Sequence, residues 1–264
     1  MRLLGLIFGA GLLGLCMAAA ILALAPAAPR AATLPAPPAR LALLQPEAGR
    51  PQVLDLNRPT GRPTGRHTGF DRSLRALWQR VCRRFPAPDD TDLIVVDMRT
   101  ETLYLLHRGR IADAWPISTA LRGIDQVAHS DGTPVGVFRI VRKIGAGLPP
   151  DEVLRDQAPT GRIVAPVRLP DDLAASRFIT TRILWLSGLQ PGWNEGGDVD
   201  TFLRHIYIHG TVNIGMLGRP ASHGCVQMAP HAVMALYRAV PVGTPVLITP
   251  GTGRLSEIPG PALS

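Results

Sequence analysis

His209-Gly210-Thr211 and, ten residues further on, Ser222-His223-Gly224-Cys225-Val226-Gln227-Met228 form the stretch around which this chain is organised. It closes on one of only three cysteines in 264 residues. Just upstream, Arg204-His205-Ile206-Tyr207-Ile208-His209 alternates at period two, the mark of a strand. On that strand Ile206 and Ile208 face one way, while His205, Tyr207 and His209 face the other. The strand is expected to break at Gly210, which leaves His209 at its tip beside the loop to Cys225. Gly215, Gly218 and Pro220 let Thr211–Ala221 fold back, so that histidine and cysteine meet.

A free thiol has a pKa near ~8.5 and is mostly protonated at neutral pH, so a nucleophilic cysteine needs a base or a stabilising field. An imidazole, with a reference pKa of about 6.5, can take the thiol proton and return it to a leaving amine. By residue type alone both His209 and His223 qualify as that base; the strand geometry favours His209. Downstream, Pro230 suits a helix's first turn, and Val233, Leu236, Tyr237 and Val240 recur at helical spacing. Cys225 is therefore expected in a loop entering that helix, where the N-terminal partial charge would favour thiolate. The N–H groups of Gly224 and Cys225 are the candidate oxyanion donors.

Two blander readings compete. A single cysteine between apolar residues is commonly a small buried side chain. His205, His209, His223 and Cys225 together match the donor count of a zinc site, but no metalloprotease helix motif or short-spaced cysteine pair accompanies them.

The pattern resembles the signature of the L,D-transpeptidases, the YkuD-type catalytic domain: His-Gly-Thr, a spacer, then Ser-His-Gly-Cys, an aliphatic residue, a polar one and Met. The resemblance implies Cys225 as nucleophile, His209 as general base and the carbonyl of Gly210 as the group orienting the imidazole. Ser222, His223 and Gly224 would frame the nucleophile and the oxyanion hole. Where the family often has Arg, this chain has Gln227, which can hydrogen-bond a substrate carboxylate without supplying charge. Asp131-Gly132-Thr133-Pro134-Val135-Gly136-Val137-Phe138 matches the family's Thr-Pro-x-Gly-x-Phe element. The resemblance also implies a donor peptidoglycan stem tetrapeptide, loss of its terminal D-Ala, and transfer of the acyl group to an acceptor amine. It calls for no metal, nucleotide or flavin. A carboxypeptidase or amidase that hydrolyses the same thioester is the nearest alternative, and a non-catalytic wall-binding protein the more distant one.

Outward from the motif, the fold expected over residues 91–250 is mainly β, a sandwich- or barrel-like sheet with few helices. Leu93–Asp97 is a buried-strand run, Thr102–Leu106 a second strand and Ile111–Ser118 a third. Gly145–Asp172 is rich in Pro, Gly and Asp and reads as loop. Phe178–Leu186 reads as a strand carrying Arg182 and Trp185, and Val246–Ile248 as the last strand. Loops as long as those between Val141 and Arg204 tend to be binding walls, so Arg182, Trp185 and Trp193, with Tyr207, are candidate substrate contacts.

The N-terminal third has a different character. Residues 3–25 carry no charge and are dominated by Leu, Ala and Gly. Residues 1–28 therefore read as a signal peptide or a membrane anchor. Both place the remainder outside the cytoplasmic membrane, in the periplasm or anchored to the outer side of that membrane. Residues 29–69 read as a Pro/Arg-rich linker, 70–90 as a short helix (Leu74, Leu77, Trp78 and Val81 at helical spacing, with Cys82 packed on it), and 251–264 as a tail. Residues 1–90 hold 12 arginines and 5 acidic residues, whereas 91–250 hold 15 basic and 14 acidic. The excess positive charge thus belongs to the N-terminal arm, which suits anionic membrane or wall polymers. Nothing suggests nucleic-acid binding, since the arm lacks interleaved aromatics.

Overall fold

Leu93-Ile94-Val95-Val96 is apolar at every position because the strand it forms is covered on both sides. In the computed structural model, which describes residues 68–85, 92–168 and 177–251, this run is β1 (Asp92–Asp97). Ile94 and Val96 enter the central core, while Leu93 and Val95 pack under a helix, α1 (Thr68–Arg84). The leader expected at 1–28, the linker up to residue 67 and the tail beyond residue 251 lie outside the described residues.

The strands follow as β2 (Thr102–His107), β3 (Arg110–Ser118), β4 (Gly136–Ile144), β5 (Glu152–Arg155), β6 (Ala158–Ile163), β7 (Ile179–Gly188), β8 (Tyr207–Gly210) and β9 (Val226–Met228); α2 (Pro230–Ala239) and β10 (Pro245–Thr249) complete the order. They form one ten-stranded sheet. Because β4 pairs with both β10 and β7, the order β4-β10-β1-β2-β3-β9-β8-β7 closes on itself like a barrel. The β5–β6 hairpin pairs with the start of β7, at Ile179 and Thr180, beyond the stretch of β7 that pairs with β4. Closure leaves few free edges to manage. The mainly β, barrel-like fold with few helices is as the sequence led one to expect.

The central core joins inward residues of the ring, among them Phe138, Ile140, Leu184, Leu186, Ile208, Val226 and Met228, to Val233 and Leu236 of α2. A third cluster lies on the other side of β7 and β8, formed by Leu154, Ile183, Trp185 and Tyr207, with Cys225 packed against it. Cys225 and α2 therefore lie against different clusters.

Four local expectations are corrected. The strand expected from Arg204 begins only at Tyr207; residues 201–205 form a turn, in which His205 has φ +55°. Gly210 continues β8 rather than breaking it, and glycine is required there because a Cβ would lie 2.7 Å from the Thr180 carbonyl oxygen of β7. The region read as loop over 145–172 contains the β5–β6 hairpin. Finally, Cys225 does not lead directly into the helix: β9 intervenes, parallel to β8, with Val226 and Met228 locked into the central core.

Candidate active site

The parallel pairing of β8 and β9 decides the geometry. Ile208 stands opposite Val226 and His209 opposite Gln227. Period-two alternation then turns Ile208, Val226 and Met228 into the core, and His209 with Gln227 to the other side. Cys225, one residue before β9, accepts the Tyr207 N–H at its sulfur at 3.4 Å. Its own S–H points at the His205 carbonyl oxygen, 3.5 Å away. His209, Cys225, Gln227 and His223 line one cavity of about 380 Å³ together with Asp131, Arg177 and Ile179.

His209 is only 2% exposed, and its Nδ1 lies 2.8 Å from the Gly210 carbonyl oxygen. A carbonyl can only accept, so Nδ1 carries the proton and Nε2 keeps the lone pair that a base requires. Burial lowers the His209 pKa to about 4, the Gly210 bond opposing this only in part. Burial likewise pushes the Cys225 thiol up to about 11, against the pull of the Tyr207 N–H and the Arg204 charge. The resting pair is thus neutral thiol and neutral imidazole, which corrects the expectation of a thiolate favoured by the helix end. The physical reason is that β9 separates the sulfur from α2, and desolvation outweighs the remaining favourable fields.

The loop carrying Cys225 is held from several sides. Ser222 Oγ donates to the Cys225 carbonyl oxygen at 2.6 Å and accepts the Gly224 N–H at 3.3 Å. The Ala221 and Ser222 N–H groups both reach the Thr119 carbonyl oxygen. The Thr119 N–H and hydroxyl in turn bond the buried Glu101 carboxylate. Gly224 has φ +118°, and a Cβ there would come within 3.1 Å of the Gly132 carbonyl oxygen. Thr133 Oγ1 donates to the Gly224 carbonyl oxygen and accepts the Ala120 N–H, each at 3.0 Å. Thr133→Val keeps the volume but leaves that buried N–H unpaired, at a cost of about 1–3 kcal/mol. A lowered thermal midpoint for Thr133→Val, restored in Thr133→Ser, checks this; equal midpoints in the two variants would speak against it.

The other candidates separate into groups. His223 is 45% exposed at its side chain and lies 3.8 Å from the Asp131 carboxylate at the cavity rim. Gln227 is buried at the cavity wall. Tyr207 sits beneath, its hydroxyl bonded to Gln157 Nε2 and its pKa raised by burial to about 12. Trp185 stacks on Phe202 at 4.4 Å, meets Tyr207 edge-on and donates Nε1–H to the Phe202 carbonyl. Arg182 donates to the carbonyls of Leu148 and Thr181 and lies over the Tyr237 ring of α2. Trp193 donates to the Val135 carbonyl. Tyr207, Trp185, Arg182 and Trp193 are thus packing and anchoring groups that do not line the cavity.

Among the described residues no cluster of three or more His, Cys, Asp or Glu side chains is gathered for a metal. His205, part of the zinc set weighed above, instead packs edge-on to Trp185. Four residues at or around the site escaped the sequence reading: Arg177 and Asp131 on the cavity wall, Thr133 behind the loop, and Arg204. Thr133 carried a signal, as the first residue of the Thr-Pro-x-Gly-x-Phe element.

A family model of the L,D-transpeptidase catalytic domain (YkuD) matches residues 91–248. Solved structures similar to the chain include an L,D-transpeptidase from Mycobacterium smegmatis, 20% identical over 60% of this chain and 58% of that one, TM-score 0.36. L,D-transpeptidase 3 from Mycobacterium tuberculosis, in complex with a faropenem-derived adduct, is 16% identical over 60% of each chain, TM-score 0.38. The L,D-transpeptidase from Xylanimonas cellulosilytica is 18% identical over 62% of this chain and 64% of that one, TM-score 0.34. The chain thus spans about three-fifths of the length of the solved structures it matches. A comparison with curated proteins finds no match. On the strength of the catalytic-domain match, which takes in more than half of its residues, this chain belongs to the L,D-transpeptidase family.

Proposed function

We propose that the protein is a cysteine L,D-transpeptidase of the bacterial wall, with Cys225 as nucleophile and His209 as general base. The observation that supports this reading is the shared cavity: it is lined both by Cys225, one residue before β9, and by His209 of the adjacent parallel strand β8, whose imidazole has a fixed tautomer. The donor is a peptidoglycan stem tetrapeptide. Cys225 Sγ attacks the carbonyl carbon that precedes the terminal D-Ala while His209 Nε2 takes the thiol proton. The Cys225 N–H receives the developing oxyanion, joined by the Gly224 N–H as it exchanges its long bond to Ser222 Oγ for the charged oxygen. As the tetrahedral species collapses, the C–N bond breaks, the imidazolium protonates the leaving amine, and D-Ala departs. The acceptor amine then attacks the thioester and loses a proton, and the sulfur leaves to be reprotonated.

A neutral pair makes proton transfer ahead of attack unfavourable. The proton therefore moves as the S–C bond forms, when the negative charge passes to the carbonyl oxygen rather than resting on sulfur. Gln227, on the cavity wall, offers its amide to the donor peptide.

The exported location, in the periplasm or at the outer side of the cytoplasmic membrane, belongs to the same proposal, as does contact of the basic N-terminal arm with anionic membrane or wall polymers. Among the described residues no helix is long and apolar enough to cross a membrane.

Mass spectrometry after incubation with tetrapeptide stems tests the reading. The expected product is an adduct on Cys225 equal to the donor less D-Ala, converted to dimer when an acceptor stem is added. Trimmed stems without dimers would replace transfer by hydrolysis. No adduct on folded protein whose Cys225 still alkylates would end the proposal.

A further inference from the structure

Even when proton transfer and attack are concerted, the sulfur carries partial negative charge as its proton leaves, and the groups around it set what that costs. The groups around Cys225 are His209 and Tyr207 on β8, His205 and Arg204 in the turn before it, His223 on its own loop, and Asp131 and Arg177 across the cavity. Arg204 is distinctive in how its guanidinium is held. Nη1 donates to the carbonyls of Asp125 and Gln126 at 3.1 and 2.7 Å. Nη2 donates to the Gly132 carbonyl at 2.8 Å and reaches the Ser130 hydroxyl at 3.5 Å. Every one of these acceptors is a neutral oxygen. The Asp125 carboxylate is turned instead to the Val127 N–H. The two terminal nitrogens of the guanidinium are thus committed to neutral oxygens, and the Asp125 carboxylate acts on its charge through space rather than through a hydrogen bond.

The clamped segment is the wall of the site. Asp131 lies between two of the clamped residues and borders both the cavity at Cys225 and a neighbouring one of about 400 Å³. The Gly132 carbonyl lies against Gly224, and Thr133 bonds the Gly224 carbonyl. The backbone of the Arg204 turn also serves the thiol, since the next carbonyl, that of His205, faces the S–H. One residue thus joins the wall loop, the turn that receives the thiol and a half-buried positive charge.

We propose that Arg204 is a positioning residue of this active site: its guanidinium clamps residues 125–132 against the Cys225 loop and adds its positive charge to the field at the sulfur as the thiol proton leaves. The assignment rests on reading Cys225 as the nucleophile. The Coulombic pull of Arg204 on the thiol acts in the same sense.

Charge and clamp can be separated by the rate at which iodoacetamide labels Cys225, followed by mass spectrometry between pH 7 and 9. In that range the rate scales with the thiolate fraction. Arg204→Gln is expected to label about tenfold more slowly at every pH, corresponding to about one unit in the thiol pKa. A clamp without an electrostatic role would act in the opposite direction, because loosening the wall uncovers the sulfur and speeds labelling. Arg204→Lys keeps the charge but cannot bridge both ends of the loop. It should label at or above the wild-type rate while kcat/KM for acyl transfer falls about tenfold. Labelling of folded Arg204→Gln at the wild-type rate or faster overturns the electrostatic role, and wild-type kcat/KM in Arg204→Lys overturns the clamp. Should Arg204→Gln fail to fold, Arg204→Lys decides alone: slowed labelling with the charge retained counts against the proposal, as does unchanged kcat/KM. Failure of the underlying reading looks different, because wild-type protein alkylated at Cys225 would still transfer acyl groups.

Discussion

Cys225→Ala is expected to lower acyl transfer from a tetrapeptide stem by about 10⁴-fold or more, while the protein stays folded. The magnitude follows from the bond order of events. Without sulfur there is no thioester, and the two modest barriers of covalent catalysis revert to one direct attack of an amine on an amide. Only substrate binding and the oxyanion donors would remain. The effect on stability should be small, because the side chain is partly exposed at the cavity and makes only two long hydrogen bonds, from the Tyr207 N–H and to the His205 carbonyl. About 1 kcal/mol or less is expected for the lost packing against the cluster of Leu154, Ile183, Trp185 and Tyr207. Cys225→Ser is the stricter version: it preserves shape but offers a hydroxyl that ionises far less readily. It should be nearly as inactive. Dimer formation by liquid chromatography with mass spectrometry, beside a thermal melt for each variant, reads both quantities. Substantial transfer by well-folded Cys225→Ala would remove the sulfur from the mechanism.

What the sequence disclosed depended on where one face of an element is buried and the other is not. Ile206 and Ile208 could be assigned to the core, and Tyr207 and His209 to the opposite side, because β8 separates the central core from the cavity. The β1 run was legible for the opposite reason: α1 covers its outer face, so nothing interrupts the apolar residues. The β5–β6 hairpin gave no such signal. Every residue of β6 is exposed, so no alternation was imposed on it. Its turn, Asp156-Gln157, adopts positive φ at both positions without the Asn-Gly or Asp-Gly pair that would have announced it. β9 has three residues and exists through its pairing with β8 and β3, a tertiary cause that no local propensity reports.

The site shows the same division. Arg182 and Trp185, each a candidate cleft residue, are three positions apart on one strand, an odd spacing that sends them to opposite faces, so at most one of them could face a given cleft. Arg182 accordingly lies over Tyr237 of α2, and Trp185 packs with Tyr207. Arg204 was unreadable for a different reason. Its significance lies in carbonyls more than seventy positions earlier in the chain, and backbone acceptors carry no residue type to recognise.

His209→Gln is expected to reduce acyl transfer by about 10²–10⁴-fold, and the pH behaviour of the wild-type enzyme shows why the base matters in its neutral form. With His209 held near pKa 4 and Cys225 near 11, the thiol–imidazole pair persists unchanged across neutral pH. The acid limb of kcat/KM should therefore fall with an apparent pKa of about 4, well below the ordinary imidazole value, and the rate should be level from about pH 6 to 8. An enzyme relying on a preformed thiolate–imidazolium pair would instead lose activity as the imidazolium gives up its proton. Stability carries the same signature. Between pH 6.5 and about 4 the unfolded chain binds a proton at His209 that the folded chain refuses. Proton uptake on unfolding means that stability rises with pH through this window and is lost as pH falls from 6.5 toward 4. A glutamine amide does not titrate, so the His209→Gln protein should lose less stability than wild type between pH 7 and 5, measured by urea unfolding at each pH. A wild-type acid limb near pH 6.5, together with equal acid sensitivity in the two proteins, would mean that the imidazole is solvated rather than buried, and the concerted proton transfer would have to be abandoned.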